Sequence, residues 1–410
     1  MNSTARSDPM AFHAGHVRAK EQLAAFLPRA GKAYADSRNF DYGPARRENI
    51  SCLSPYIRHR LITEEEVLRA TLEQHDAGAA EKFIAEIFWR GYFRGWLEHR
   101  PAVWADYARQ VPEWHHRLAD NSGHKTAYDE AVQGRTGIDC FDTWASKLVT
   151  HGYLHNHARM WFASIWIFTL RLPWQLGADF FLSHLLDGDA ASNTLSWRWV
   201  AGLHTKGKHY LARCSNIERY SDGRFSPTGL VEDAASLSED VEYPRLMPDM
   251  PENAPINGDF ALLLHGEDCS PETLPLSDKT PKLVLGLTPG QTLPYWTPEV
   301  PVAQFTGDAI TDALKRAASH WNAPTASVTN PGTVIAAMQQ SGVEILVMPH
   351  IPTGPLNDIW HGWRHSLTDA GIRVQTMLRD YDRAVWPHAS RGFFKLKQRI
   401  PEILATRGLL

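Results

Sequence analysis

Between Asp187 and Trp199 the chain reads D-G-D-A-A-S-N-T-L-S-W-R-W: two carboxylates two residues apart, an amide four residues on, and two of the fifteen tryptophans close together. Three chemistries could use such a run: a metal loop, a helix corner packed with core aromatics, or a cofactor pocket. A calcium loop of the EF-hand kind needs an oxygen ligand at its fifth position, Gly at its sixth and Glu at its twelfth. Those positions are Ala191, Ser192 and Arg198, so the metal reading fails. In H-G-Y-L-H-N-H, His151 and His155 share a helix face and His157 follows, but no carboxylate or Cys nearby completes a zinc site. Ordinary core or surface histidines account for them, and no metal site is assigned.

A cofactor pocket fares better. Arg159 falls in a helical stretch otherwise rich in aromatics, "MWFASIWIF", and a buried guanidinium needs a carboxylate partner. Asp187 and Asp189 are the natural candidates. An Arg–Asp pair beside the amide of Asn193 and the indole of Trp197 suits a planar, redox-active heterocycle with several ring nitrogens. On the residues alone, a plain buried salt bridge between helices suits the pattern equally.

The elements that must position these groups are read from periodicity. From about His16 to Leu211 the texture is helical, as in "AEKFIAEIFWRGYFRGWLEH" and "CFDTWASKLVTHGYLHNHARMWFASIWIFTL". Residues 1–15 read as a disordered tail, and residues 226–257, rich in Pro, Asp and Glu, as a linker. Beyond them "DFALLLHG", "KLVLGLTPG", "TASVT" and "VEILVMPH" read as buried strands, alternating with helical segments near 308–321, 332–341 and 355–371. That alternation predicts a parallel sheet flanked by helices over 258–410. "LTPGQT" lacks the Lys of a phosphate-binding loop.

At 410 residues and 43% apolar content the chain can bury more than one core. Its four cysteines, Cys52, Cys140, Cys214 and Cys269, form no C-x-x-C pair, which argues against a disulfide framework or a cysteine-held metal. No run is long and apolar enough for a membrane span, and nothing resembles a signal peptide; the expectation is a cytoplasmic protein. Residues 1–225 carry 28 Lys+Arg against 25 Asp+Glu, and 226–410 carry 14 against 21. A nucleic-acid face, if present, therefore belongs to the first part.

The run at 187–199, together with "GYLHNHARM", "PWQLGADFFLSHLLDGD" and "RCSNIERYSDGRF", resembles the flavin-binding helical domain of the DNA photolyase/cryptochrome family. "YADSRN", "ISCLSPYI" and "FIAEIFWRGYF" resemble that domain's earlier motifs in the same order. The resemblance implies a multidomain protein: an all-α, photolyase-like FAD-binding domain at 16–225, then an α/β parallel-sheet (Rossmann-like) domain at 258–410. The latter is similar to the family's antenna domain, which normally comes first, so the order is rearranged.

FAD is the implied cofactor, and a second antenna chromophore, a folate or deazaflavin, is possible in the family. The resemblance places Tyr34, Ser51, Leu53 and Ser54 at the diphosphate, with Ile50 where the family has a Thr. Phe83 lies beside the flavin, Arg159 and Asp187 form an ion pair at the ring, Asp189 accepts from its imide, and Asn193 faces N5. Glu86, Trp89, Asn156, Met160 and Trp199 match contacts to a flipped cyclobutane pyrimidine dimer; relatives acting on (6–4) lesions carry His at positions 156 and 160. Trp197 and Trp174 match the start of the photoreduction chain, whose third position is Ala131, with Tyr128 or a neighbouring indole as an alternative route. His157 replaces an Arg that binds DNA phosphate. The catalytic candidates are thus Glu86, Trp197, Trp174 and Asn193, and the implied partner is DNA containing pyrimidine dimers. Light-driven repair is the implied function; a blue-light photosensor of the cryptochrome kind is the alternative.

Overall fold

The computed structural model describes residues 12–276, 278–288, 290 and 292–410; most of the expected tail, 1–11, lies outside them. Phe12 is described, and its ring packs 5.2 Å from Tyr153. Helices follow from there: α1 (His16–Phe26), α2 (Lys32–Ser37), α3 (Ser54–Arg58), α4 (Glu64–Gln74), α5 (Glu81–Glu98) and α6 (Pro101–Ala119). Then come α7 (Ser122–Val132), α8 (Asp139–His151), α9 (Asn156–Ser164), α10 (Trp174–His184), α11 (Ala190–Ala201) and α12 (Cys214–Tyr220). Their ends follow local chemistry. Thr63 and Glu66 form a capping box at the start of α4. Asp189 caps α11, which stops at Gly202 with φ 84°.

The apolar faces of α6 and α8–α11 close around Trp144, Trp161, Trp166 and Trp197, all fully buried. Gly177 on α10 is required there: a Cβ would stand 2.3 Å from Cη2 of Trp197.

Among the described residues no helix or strand is formed between α12 and β1 (Phe260–His265). This stretch is nonetheless tied down: the Leu246 N–H donates to His99 O at 2.8 Å, and Asn253 Nδ2 donates to Leu378 O at 3.0 Å.

Next come β2 (Leu283–Leu287), α13 (Val300–Trp321), β3 (Thr325–Val328), α14 (Pro331–Ser341), β4 (Ile345–Pro349), α15 (Pro355–Asp369) and β5 (Arg373–Met377). The five strands form one wholly parallel sheet in the order β3-β2-β1-β4-β5. β1, β2 and β4 are buried throughout, as continuous apolar runs require when helices cover both faces. Gly286 on β2 admits α13, since a Cβ would meet Leu314 and Ile310 at 2.7–2.8 Å. The helical protein followed by a parallel α/β sheet agrees with expectation. β5 was not foreseen, and α13 starts eight residues before the expected helical segment.

The chain ends differently from the expected α/β layer. α16 (Asp380–Val385), α17 (Phe393–Lys397) and α18 (Ile400–Thr406) return to the helical part, where α16, α17 and the turn between them pack along α5. Gly91 and Gly95, one turn apart on α5, make this possible: a Cβ on Gly95 would stand 2.8 Å from Ala389 and 2.9 Å from the Trp386 backbone. One hydrophobic core therefore runs through α1–α5, the sheet and the C-terminal helices.

Candidate active site

The ion pair at the centre of the candidate site is formed. Arg159 projects from α9 and donates through Nη2 to Asp187 Oδ2 at 2.8 Å, and through Nε to Leu154 O at 2.9 Å. Asp187 Oδ1 is buried with no hydrogen-bond partner. A carboxylate oxygen stripped of water and left without a donor is costly, so it marks a place for a donor from outside the chain. Arg159 keeps 24% of its side chain accessible while Asp187 keeps 4%, so the guanidinium can be reached from solvent and its partner carboxylate is enclosed.

Asp189 is engaged differently. Its Oδ1 accepts from Ser192 N at 2.8 Å, and its Oδ2 accepts from Arg94 Nε at 2.8 Å and Arg90 Nη1 at 3.2 Å. Burial alone would raise its pKa, but the guanidinium groups of Arg94, Arg90 and Arg58 outweigh burial and hold it far below the usual carboxylate range. The network continues into the α/β part. Arg94 also donates to Glu267 at 2.8 Å, and Arg58 grips Glu267 with two bonds of 2.6 and 2.7 Å. Arg60 pairs with Asp382 at 2.7 Å, and Arg379 pairs with Asp268. Asp189 is thus a helix cap and part of an ion-pair network that ties α5 and α11 to the residues after β1; an acceptor role toward a ring imide would have to use a remaining lone pair.

The cradle residues lie on α2, α3 and the turn between them. Tyr34 and Phe83 pack edge to face at 5.3 Å, both against Phe26. Ser51 Oγ accepts from Leu53 N at 3.3 Å, Leu53 is fully buried, and Ser54 at the start of α3 is exposed. Cys52 between them takes φ 51°, an unusual backbone for a non-glycine residue and a frequent mark of a functional turn. On α11, Asn193 donates its amide N–H to Ala178 O at 2.7 Å, leaving Oδ1 as the free end of the side chain.

The five lesion-pocket residues sit on three packed helices, with α11 against both α5 and α9. Glu86 and Trp89 lie one turn apart on α5, Asn156 and Met160 one turn apart on α9, and Trp199 near the end of α11. Glu86 is paired with Arg38 yet keeps 35% of its side chain accessible. Burial pushes its carboxyl pKa up against the opposing pull of Arg38. Asn156 is exposed and Met160 half-buried. Trp199 is 37% exposed and stacks on Tyr210 at 5.8 Å. Trp89 is stacked on Phe393 of α17 at 3.7 Å, with only 12° between the rings.

The indole in contact with Trp197 is Trp166, at 6.1 Å, and Trp166 meets Tyr128 edge-on at 5.9 Å. Trp174 instead stacks on Tyr107 at 5.8 Å, with the Arg198 guanidinium 5.8 Å from its ring. Ala131 is buried. His155 contacts Arg38 O at 3.0 Å, and His157 contacts Asn39 O at 2.6 Å while stacking on Trp161. Among the described residues no group of His, Cys, Asp and Glu is arranged to hold a metal ion, and no helix is long and apolar enough to cross a membrane.

Arg38, Arg90, Arg94 and Trp166 were missed from the sequence. Arg90 and Arg94 had a signal: they lie one turn apart on the face of α5 that continues from Glu86. Trp166 had only its place among "MWFASIWIF".

Residues 83–229 match the family described as the FAD binding domain of DNA photolyase. The chain is 34% identical to the deoxyribodipyrimidine photo-lyase of Streptomyces griseus over 156 residues, which are 38% of this chain and 32% of that one. It is 27% identical to the enzyme of that name from Vibrio cholerae over 229 residues, 55% of this chain and 47% of that one. Among solved structures, a bacterial class III photolyase from Agrobacterium tumefaciens aligns with a TM-score of 0.42 at 28% identity, covering 51% of this chain and 43% of that one. The chain spans between about a third and a half of the length of the curated relatives it matches.

Proposed function

We propose that this chain, whose residues 83–229 are a FAD-binding domain of the photolyase/cryptochrome family, is a flavoprotein that uses light to repair cyclobutane pyrimidine dimers in DNA. The observation that carries the reading is the partnerless, buried Oδ1 of Asp187 beside the partly accessible Arg159. The residues present fit FAD. The Arg159–Asp187 pair offers one donor group and one acceptor to the edge of a heterocycle. Tyr34, Ser51 and Ser54 offer hydroxyls for a diphosphate, around a turn strained at Cys52. Asn193, fixed by Ala178 O, presents a carbonyl oxygen. Bound and reduced, FAD supplies an electron that light sends to the dimer and that returns after the ring splits, with no net redox change.

The chain's own part is to bind and orient the lesion. Trp199 offers an exposed indole face, and base–aromatic stacking is worth about 1–3 kcal/mol per base. Trp89 and Met160 add apolar surface. Glu86, its pKa raised by burial, holds its proton to higher pH than an exposed Glu and donates an O–H to a carbonyl of the dimer. A damaged base costs less to extrude than an intact one. Residues 258–410 stand for the family's α/β domain in rearranged order, a reading supported by the five parallel strands, with 16–225 as the helical domain and 226–257 as the linker.

The test is illumination of the purified, FAD-loaded and reduced protein with an oligonucleotide carrying one thymine dimer. Restored thymines support repair. Reversible photoreduction without repair supports the second reading, a photosensor of the cryptochrome kind. That reading is favoured by two observations: a buried Ala at 131, and a neutral ring at 157 spent on Asn39 O.

A further inference from the structure

Docking of the C-terminal segment on α5 places Phe393 flat on Trp89 and leaves the next residue, Phe394, 75% exposed. The ring belongs to the segment that packs on Trp89, and a lone exposed aromatic takes its meaning only from the charges beside it. Two of the four cations near it are left without a carboxylate partner among the described residues. Arg391 and Lys395 are exposed and make no ion pair among the described residues. The neighbouring Lys397 and Arg399 are each taken by a carboxylate, Glu81 and Glu402. The turn is braced from behind by Arg100, which donates to Ser390 O at 3.1 Å and lies 4.4 Å over Trp96, with its buried Nη1 unpartnered.

We infer that the turn 390–395 is a nucleic-acid docking surface, on which Phe394 stacks against an unpaired base while Arg391 and Lys395 contact the phosphates on either side. The combination of one exposed ring with unpaired flanking cations is what a single strand recognises: every base has a face to stack, and every phosphate a charge to neutralise. An apolar protein partner would find its contact ringed by uncompensated charge. Phe393, the residue before Phe394, lies on Trp89, so the turn adjoins the α5 helix that carries Trp89 and Glu86 of the proposed lesion pocket. In that respect the inference rests on the proposed function, and it names a contact from the C-terminal segment that the flavin domain alone does not contain.

The experiment uses the full chain and two probes, an undamaged single-stranded oligothymidine and a duplex bearing one thymine dimer, read by fluorescence anisotropy from 50 to 200 mM salt. Replacing both cations (R391Q with K395Q) is expected to reduce the dependence of log affinity on log salt for the single strand by about 1.4, at about 0.7 per phosphate contact. Phe394→Ala is expected to weaken single-strand binding by about 5- to 150-fold, the loss of one stacked base. All three positions are exposed, and melting temperatures equal to wild type show that the fold is intact. Wild-type protein that does not bind the single strand, or variants indistinguishable from it, overturn the inference. A wild type that binds the single strand but does not prefer the dimer duplex contradicts the lesion reading alone.

Discussion

Glu98, at the end of α5, is the group whose protonation most directly couples the two parts of the chain. Its Oε1 accepts from Thr353 N at 2.6 Å, in the loop between β4 and α15, and His350 Nε2 lies 4.0 Å from its Oε2. Burial pushes its pKa up from 4.5 to about 7, only partly opposed by the Thr353 hydrogen bond. The folded state therefore binds a proton more tightly than the unfolded chain. The carboxyl carries no penalty below pH 4.5, where both states are protonated, and stability falls as pH rises toward 7, where the folded state must hold a buried charge. At 1.36 kcal/mol per pKa unit the full penalty is about 3 kcal/mol above pH 7. Glu98→Gln keeps an acceptor for Thr353 and removes the charge, so it should gain up to about 3 kcal/mol at pH 8 and almost nothing at pH 4.5. Wild type alone would not show this cleanly. His59, His155, His204 and His350 all have pKa values lowered to about 4 by burial, and their contribution is lost as pH falls from 6.5 toward 4, the opposite trend. The difference between Glu98→Gln and wild type, from urea unfolding at half-unit steps between pH 4.5 and 8, isolates the carboxyl. A difference that stays flat across that range would refute the reasoning.

At Gly177, an added methyl would meet the Trp197 ring at 2.3 Å, so Gly177→Ala should cost about 1–3 kcal/mol in urea unfolding and shift the tryptophan fluorescence. Along the aromatic contacts, Trp166→Phe should slow light-driven reduction of bound flavin more than Trp174→Phe does, measured by flash absorption. The reason is that Trp166 touches Trp197, whereas Trp174 sits beside the Arg198 guanidinium, which disfavours a positive charge on its ring. In the ion-pair network around Asp189, Glu267→Ala leaves Arg58 and Arg94 without their shared carboxylate, and loss of one partner of a buried pair typically costs about 3–5 kcal/mol. That loss should appear as a lower urea midpoint.

The parts of the fold legible from sequence were those set by local pattern. "FALLLH", "KLVLGL" and "EILVMP" are continuous apolar runs and became strands buried on both faces. Edge strand β5, "RVQTM", has only Val374 and Met377 as apolar residues and neither a continuous apolar run nor strict alternation, so it was missed. The return of the C-terminal helices was equally hidden, because what permits it is a pair of glycines on α5, nearly three hundred residues from the segment they admit. The same division holds at the candidate site. Arg159 was matched to Asp187 or Asp189 because a buried guanidinium must have a carboxylate, and the choice of Asp187 came from the family resemblance. Asp189 was read as a ligand contact, whereas the structure commits it to Arg90 and Arg94, since nothing in the local sequence shows which helix face will pass 95 residues away. The resemblance gave Trp89 as a contact to the flipped dimer, and only the folded chain shows Phe393 lying on it.

The central claim is that the Arg159–Asp187 pair lies against a bound FAD, and its most direct test is a titration. The purified chain, stripped of any bound chromophore, is titrated with FAD while the flavin's fluorescence and visible absorbance are followed, in parallel with Asp187→Asn. The account predicts saturable binding of one FAD per chain, clearly weakened in the variant while its circular dichroism stays that of wild type. Failure of the folded wild-type protein to bind FAD, or equal affinity in the variant, would contradict it.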